Sequence, residues 1–141
     1  MESKWPNCPR YFRSDYQNLK TKFTGAENIE NNWSQSMQDM FVLSMLDGKR
    51  NGVYVEIGAD QPRVISNSYL LEKDFDWAGI SFELDGDKVI YFNSIRRNKC
   101  LCEDATTYDY KFLFEDRNFP KQIDYLQLDI DPAEGTLAAL K

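Results

Sequence analysis

The stretch Val53-Tyr54-Val55-Glu56-Ile57-Gly58-Ala59-Asp60-Gln61-Pro62 decides how the rest of this chain is read. β-Branched Val53, Val55 and Ile57 form a short apolar run of the kind that fills a buried strand. Glu56 interrupts the run with a carboxylate, and Gly58 stops it. Two readings follow. An ordinary core strand can end at a glycine. Alternatively, the glycine lets the backbone approach a ligand while the acid accepts hydrogen bonds from it, as at many α/β nucleotide sites. The flanking residues decide between them.

Upstream, Met37, Met40, Phe41 and Met45 follow helical spacing, with Leu43 and Leu46 widening the apolar stripe. Ser36 and Asp39 have capping-box spacing, and Gly48 and Gly52 close the segment. A helix of about ten residues is therefore expected before the first strand. Downstream, Ser66-Asn67-Ser68 offers N-cap chemistry for a helix through Tyr69, Leu70, Leu71 and Glu72. Trp77-Ala78-Gly79-Ile80-Ser81-Phe82 reads as a second strand ending in Glu83-Leu84-Asp85. A helix opens at Gly86-Asp87 with Tyr91, Phe92 and Ile95 on one face, and Arg96 and Arg97 complement its dipole. Lys99-Cys100-Leu101-Cys102 is a third strand before Glu103-Asp104. Residues 108–114 fit either a strand or a helix. Residues 123–128 form a fourth strand ending in Asp129-Ile130-Asp131, and a helix start follows.

Such alternation implies a mostly parallel sheet covered on both faces, with ligands at the carboxyl ends of the strands. Residues 1–33, with Trp5, Tyr11, Phe12, Tyr16 and Phe23 scattered among charges, read as an N-terminal arm laid on the body. A length of 141 residues with 42% hydrophobic and 14% aromatic content supports one packed domain. No apolar run approaches the ~18 residues of a membrane span, so a soluble, cytoplasmic protein is expected. Cys8, Cys100 and Cys102 cannot all pair, and a C-x-C pair lacks the four ligands of a zinc site. Reduced thiols and no metal centre are expected.

Histidine is absent, which excludes imidazole-based nucleophile systems, zinc sites and general bases. A net charge of -6 argues against nucleic acid as a partner, because phosphate binding needs a basic stripe. Four strands run into carboxylates: Glu56, Glu83, Asp104 and Asp129. At one edge of one parallel sheet these charges repel unless polar groups sit among them. A dinucleotide needs G-x-G-x-x-G to cradle its pyrophosphate. The corresponding run, Gly58-Ala59-Asp60-Gln61-Pro62-Arg63, has one glycine, an acid in place of the second, and a proline without an N–H. A phosphate-free cofactor with a cationic centre, an amino group and a ribose suits this edge better. S-adenosylmethionine has those features.

Residues 34–141 resemble the FkbM-type S-adenosylmethionine-dependent methyltransferases. The matching pieces are Ser34-Gln35, Gln38-Asp39, Gly52-Val53-Tyr54-Val55-Glu56-Ile57-Gly58-Ala59, Ser66-Asn67-Ser68, Leu71-Glu72 and Trp77-Ala78-Gly79-Ile80-Ser81-Phe82-Glu83. Asp104-Ala105, Leu128-Asp129-Ile130-Asp131 and Glu134-Gly135 resemble the later motifs. The resemblance implies a Rossmann-like three-layer sandwich, the N-terminal part of a seven-stranded methyltransferase fold. It implies that Glu56, Gly58, Ala59 and Asp60 line the methionine part of the cofactor. Glu83 would hold the ribose hydroxyls, Asp104 and Ala105 would face the adenine, and Asp129 would sit beside the methyl donor. Gln35 and Asn67 would complete the pocket, although Asn67 reads equally as a helix cap.

The implied reaction is methyl transfer to an oxygen, with sugar or glycan hydroxyls as acceptors. In the absence of histidine, Asp129 or Asp131 is the candidate base, directly or through a bound divalent cation; Asp131 also reads as an N-cap before Pro132. Asp60 in the second glycine's place and Pro132-Ala133 before Glu134-Gly135 depart from the family pattern. The chain stops at Leu137-Ala138-Ala139-Leu140-Lys141, in the helix after strand four. The expectation is therefore a fragment, a fold completed by another polypeptide, or a degenerate, non-catalytic binding module. An unpaired edge at 123–128 would promote self-association.

Overall fold

The computed structural model describes residues 23–116 and 118–141. Strands β1 (Val53–Ile57), β2 (Ala78–Glu83), β3 (Lys99–Cys102) and β4 (Tyr125–Leu128) form an all-parallel sheet in the order β3-β2-β1-β4. Helices α1 (Gln38–Met45), α2 (Tyr69–Phe75), α3 (Gly86–Ile95), α4 (Tyr110–Glu115) and α5 (Ala133–Ala139) alternate with them. This is the α/β, Rossmann-like arrangement expected, with four strands.

Connection handedness places the layers. The steps from β1 to β2 to β3 move in one direction, so right-handed crossovers set α2 and α3 on one face of the sheet. The return from β3 to β4 runs the other way and puts α4 on the opposite face. Strand alternation matches this division: Tyr54 joins Leu70, Leu71, Phe75 and Trp77 in one core, whereas Val55 and Ile57 join Phe82, Ala105 and Leu113 in the other. On the second face the rings of Phe82, Tyr108 and Tyr110 meet at centroid distances of 4.8–5.5 Å. The open segment 108–114 is thus resolved as helix from Tyr110 onward, and its aromatics, with Tyr108 just before the helix, serve as the lid of that core.

Several sequence expectations are corrected. The N-terminal cap of α1 is not Ser36. Asp39 reaches back instead, accepting from Trp33 N, Ser34 N and Ser34 Oγ, the last at 2.6 Å. That bond turns Asp39 inward, and Val42, Leu43 and Leu46 follow on the same face while Met40 is also buried. Phe41 and Met45, assigned to the apolar stripe, lie one step round the helix and are exposed. On α3 the buried pair is Val89 and Phe92, and Tyr91 and Ile95 are exposed. β4 begins at Tyr125, two residues later than expected, because Asp124 uses its carboxylate to hold Lys49 Nζ at 2.6 Å and Val53 N at 3.0 Å.

Phe23, Ala26 and Ile29 from the expected arm pack in the first core beside Met40 and Leu43. Trp5, Tyr11, Phe12, Tyr16 and Cys8 lie outside the described residues. Cys100 and Cys102 are free thiols, the first buried. Among the described residues no helix is long and apolar enough to cross a membrane. β4 pairs with β1 alone among the described strands, and Leu126 on it is 52% exposed.

Candidate functional site

The direction of chain travel reverses between β1 and β4, and a crevice at the carboxyl ends of the strands is the geometric consequence. A cavity of about 550 Å³ occupies that place. Its walls bring together all of Gln35, Glu56, Gly58, Ala59, Asp60, Asn67, Glu83, Asp104, Ala105, Asp129 and Asp131. Gln38, Ile65, Phe82, Leu84, Lys88, Glu103, Thr106 and Ile130 also line it and were not assigned from sequence.

Gly58 turns the chain with φ +83°, and a Cβ there would lie 1.9 Å from the Asp129 carbonyl oxygen. The glycine is therefore required by the close approach of the end of β4, and it lines the cavity as well. The turn also consumes its own donors. Gly58 N and Ala59 N both bond Phe82 O at 3.0 Å, and Asp60 N bonds Glu83 Oε2 at 2.9 Å. A phosphate cradle needs free N–H groups at this turn, and these three are engaged.

Asp60 does not stand as a bare anion. Lys88, one turn into α3, pairs with its carboxylate, and that bond raises the lysine's affinity for its proton. Nothing in the sequence signals this neighbour, which only the packing of α3 against the β1 turn brings in. Glu83 accepts one backbone N–H on each oxygen, from Asp60 and from Asp85 (2.9 Å). Two of its roughly four acceptor positions stay open. Asp104 Oδ1 accepts from Thr106 Oγ1 at 2.6 Å and Thr106 N at 2.9 Å, which hold its carboxyl below the usual range. Ala105 is buried beside it.

The acids differ in depth. Glu83 closes β2 and Asp129 directly follows β4, whereas Asp104 comes two residues after β3. Glu56 is not terminal but inside β1 and 1% exposed. Its Oε2 accepts from Ser81 Oγ at 2.7 Å and Ser68 Oγ at 2.8 Å. Burial pushes its pKa up, a shift that nearby Arg96 and the two hydroxyls only partly offset. Asp129 and Asp131 are exposed at the mouth. Asp131 does not cap α5, whose N-cap position is Pro132. The cap reading of Asn67 also fails: Ser66 Oγ accepts from Tyr69 N at 3.1 Å, leaving Asn67 Oδ1 buried on the cavity wall without a partner.

Behind Glu56 lies a network that sequence reasoning missed. Arg96, read as a helix-dipole charge at the end of α3, has a fully buried guanidinium. It donates to Glu72 Oε2, Pro62 O, Ser66 Oγ, Tyr54 OH and Ser68 Oγ over 2.8–3.3 Å, and it lies 4.7 Å from the Phe92 ring centroid. Glu72 in turn accepts from Arg97 N at 2.7 Å. Ser68 links this network to Glu56, so Arg96 fixes the floor of the cavity through one hydroxyl. The available signal was Glu72 on a helix otherwise apolar toward the core, a buried acid in need of a cation. No family model, curated protein or solved structure matches this chain.

Proposed function

We propose that this cavity binds S-adenosylmethionine and that the chain is, or forms part of, a methyltransferase acting on a hydroxyl of a sugar or another small acceptor, working in the cytoplasm. The observation that carries the reading is the combination at the β1 turn: its backbone donors are internally engaged while carboxylates line the walls. That favours a ligand with hydroxyls and positive charge over one with a pyrophosphate.

The residues fit such a ligand. Glu83 keeps acceptor positions for a ribose diol, Asp104 stays ionised to accept from an adenine amine, and Asn67 Oδ1 awaits a donor. When bound, the cofactor supplies an electrophilic methyl group on a sulfonium. The protein's part is alignment and exclusion of water, together with removal of the acceptor hydroxyl proton. Asp129 and Asp131 are the candidate bases because both stand at the mouth. Gln35 and Gln38 line the α1 side.

A non-catalytic binding module is the second reading. It is favoured by the absence, among the described residues, of any hydrogen bond that orients the Asp129 or Asp131 side chain. Calorimetric titration of the full chain with S-adenosylmethionine and with NAD tests the reading. Heat is expected with the former alone, with at least a tenfold weaker Kd in Glu83→Ala. Silence with S-adenosylmethionine, or an unchanged Kd in the variant, refutes it. Methyl transfer to glycan acceptors, against binding without turnover, separates enzyme from module.

A further inference from the structure

Arg63 is a cation held in place without an anion. Its guanidinium carbon lies 4.5 Å from the Trp33 ring centroid and 5.8 Å from that of Tyr69. Those two rings meet edge to face at 5.1 Å, so they form one platform. Trp33 is itself fixed, since its backbone N–H donates to Asp39 Oδ2 at 2.7 Å. The chain on either side of Arg63 is pinned by Arg96, which donates to Pro62 O at 2.9 Å and to Ser66 Oγ at 3.3 Å. Stacking on aromatic faces orients a guanidinium while leaving its N–H groups free for other partners.

The other arginines of the described residues are used differently. Arg50 donates to Asp74 O and Asp76, Arg96 to its five partners, and Arg97 to Trp77 O. The Arg63 side chain is exposed, donates no hydrogen bond and pairs with no carboxylate among the described residues. Its neighbours are short of acceptors too: Asn32 Nδ2 and Trp33 Nε1 are buried donors without a partner. Buried polar atoms are otherwise almost always bonded, so this corner of the molecule offers more donors than its own oxygens match.

The corner borders the cavity. Ser34 pairs with Ile65 in an isolated parallel bridge, and Gln35 and Ile65 both line the cavity. Trp33 and Arg63 come just before those residues on the two bridged segments, at the rim on the α1 side. Inside, the walls carry carboxylates, and the lysine among them, Lys88, is paired with Asp60. An anionic group is therefore repelled by the interior and attracted at this rim.

We propose that Arg63 is an anion subsite at the cavity rim, and that the hydroxylated molecule admitted there carries a carboxylate or phosphate group. The guanidinium fork matches two oxygens of either group, and the Trp33–Tyr69 platform holds the fork. The hydroxyls of the same molecule then face the acidic interior, where carboxylates accept their hydrogen bonds. The subsite stands on Arg63 and its platform alone; its use in selecting a methyl acceptor rests on the methyltransferase reading. It narrows the acceptor from sugars in general to a uronate or a sugar phosphate.

The test is a nitrogen–proton NMR titration of the full chain with glucuronate, glucose 6-phosphate and uncharged glucose, read at the arginine Nε–H and indole Nε1–H signals. Both anions are expected to shift the Arg63 and Trp33 signals and to bind about tenfold or more tighter than glucose. The tighter of the two identifies the group. Arg63→Ala is expected to abolish that preference, and Arg63→Lys to restore only part of it, because an ammonium lacks the planar fork. An unchanged Trp77 indole signal reports that both variants keep the fold. An Arg63 signal that neither anion moves, equal affinity for the three sugars, or an unchanged preference in Arg63→Ala overturns the inference and leaves the cofactor reading standing. Anion binding at Arg63 in a chain that fails to bind S-adenosylmethionine upholds the subsite and overturns its role in choosing a methyl acceptor.

Discussion

Replacing Arg96 with alanine is the most demanding test of the structure, because one side chain ties β1, α2 and the 62–68 loop together. Its five N–H groups are all bonded, and its guanidinium is 0% exposed against a Glu72 side chain at 8%. Removal strips Glu72 of its counter-ion, leaves Tyr54 OH and Ser68 Oγ with fewer partners, and opens a void against Phe92. Breaking a buried ion pair from one side costs about 3–5 kcal/mol. A domain of this size has about 5–15 kcal/mol in total, so about a fifth or more of its stability is at stake. With a urea m value of about 2 kcal/mol/M, the midpoint should fall by about 2 M in a denaturation series followed by circular dichroism. Arg96→Lys should recover only part of the loss, since an ammonium cannot serve five separate acceptors. A double-mutant cycle with Glu72→Gln should give a coupling energy of about 1–3 kcal/mol. A loss under about 1 kcal/mol in Arg96→Ala, or a coupling energy near zero, would refute the network as described.

Three further outcomes follow from the geometry. Gly58→Ala forces a left-handed residue, costing about 1–2 kcal/mol, and drives its Cβ against the Asp129 carbonyl; a melting temperature equal to wild type would contradict that contact. Asp124→Asn should cost about 1.5 kcal/mol near neutral pH, the low end for bonds to a charged group, because Lys49 is partly solvated. Burial alone would raise the Asp124 pKa, but Lys49 and the Val53 N–H outweigh it and the net shift is downward. The stabilisation is thus present above the unfolded-state pKa and vanishes as pH falls through the folded one. Urea midpoints of the two proteins should accordingly converge below about pH 4, and a gap independent of pH would dismiss the carboxylate as its cause. We also propose self-association through the β4 edge, where Leu126 is exposed; light scattering that shows a monomer at high concentration would remove it.

The order of elements was legible because hydrophobic periodicity and turn residues are local signals. β-Branched runs marked β1 and β2, glycine marked the turn after β1, and alternation with helices implied the parallel sheet. Cavities in this architecture lie at the carboxyl ends of the strands, so naming the acids at or just after the ends of β2, β3 and β4 was enough to name cavity-lining residues. What failed were questions of which face and which partner. Phe41 and Met45 look like core residues in the sequence, yet the Asp39 bond to Ser34 rotates their side of α1 outward. Residues 108–114 are aromatic enough for either structure, and packing onto Phe82 selects the helix.

The stretch at Val53 shows the same division. By itself the sequence determined that a buried strand carrying a carboxylate ends at a glycine, because β-propensity and left-handed backbone are properties of single residues. Only the tertiary structure decided what the carboxylate and glycine do. Gly58 is needed for the Asp129 carbonyl, Asp60 is neutralised by Lys88 from α3, and Glu56 is held by serines from α2's start and β2. Those partners lie 12–71 positions away along the chain. Electrostatic and hydrogen-bonding balances depend on distance in space, and no local pattern of residues records it.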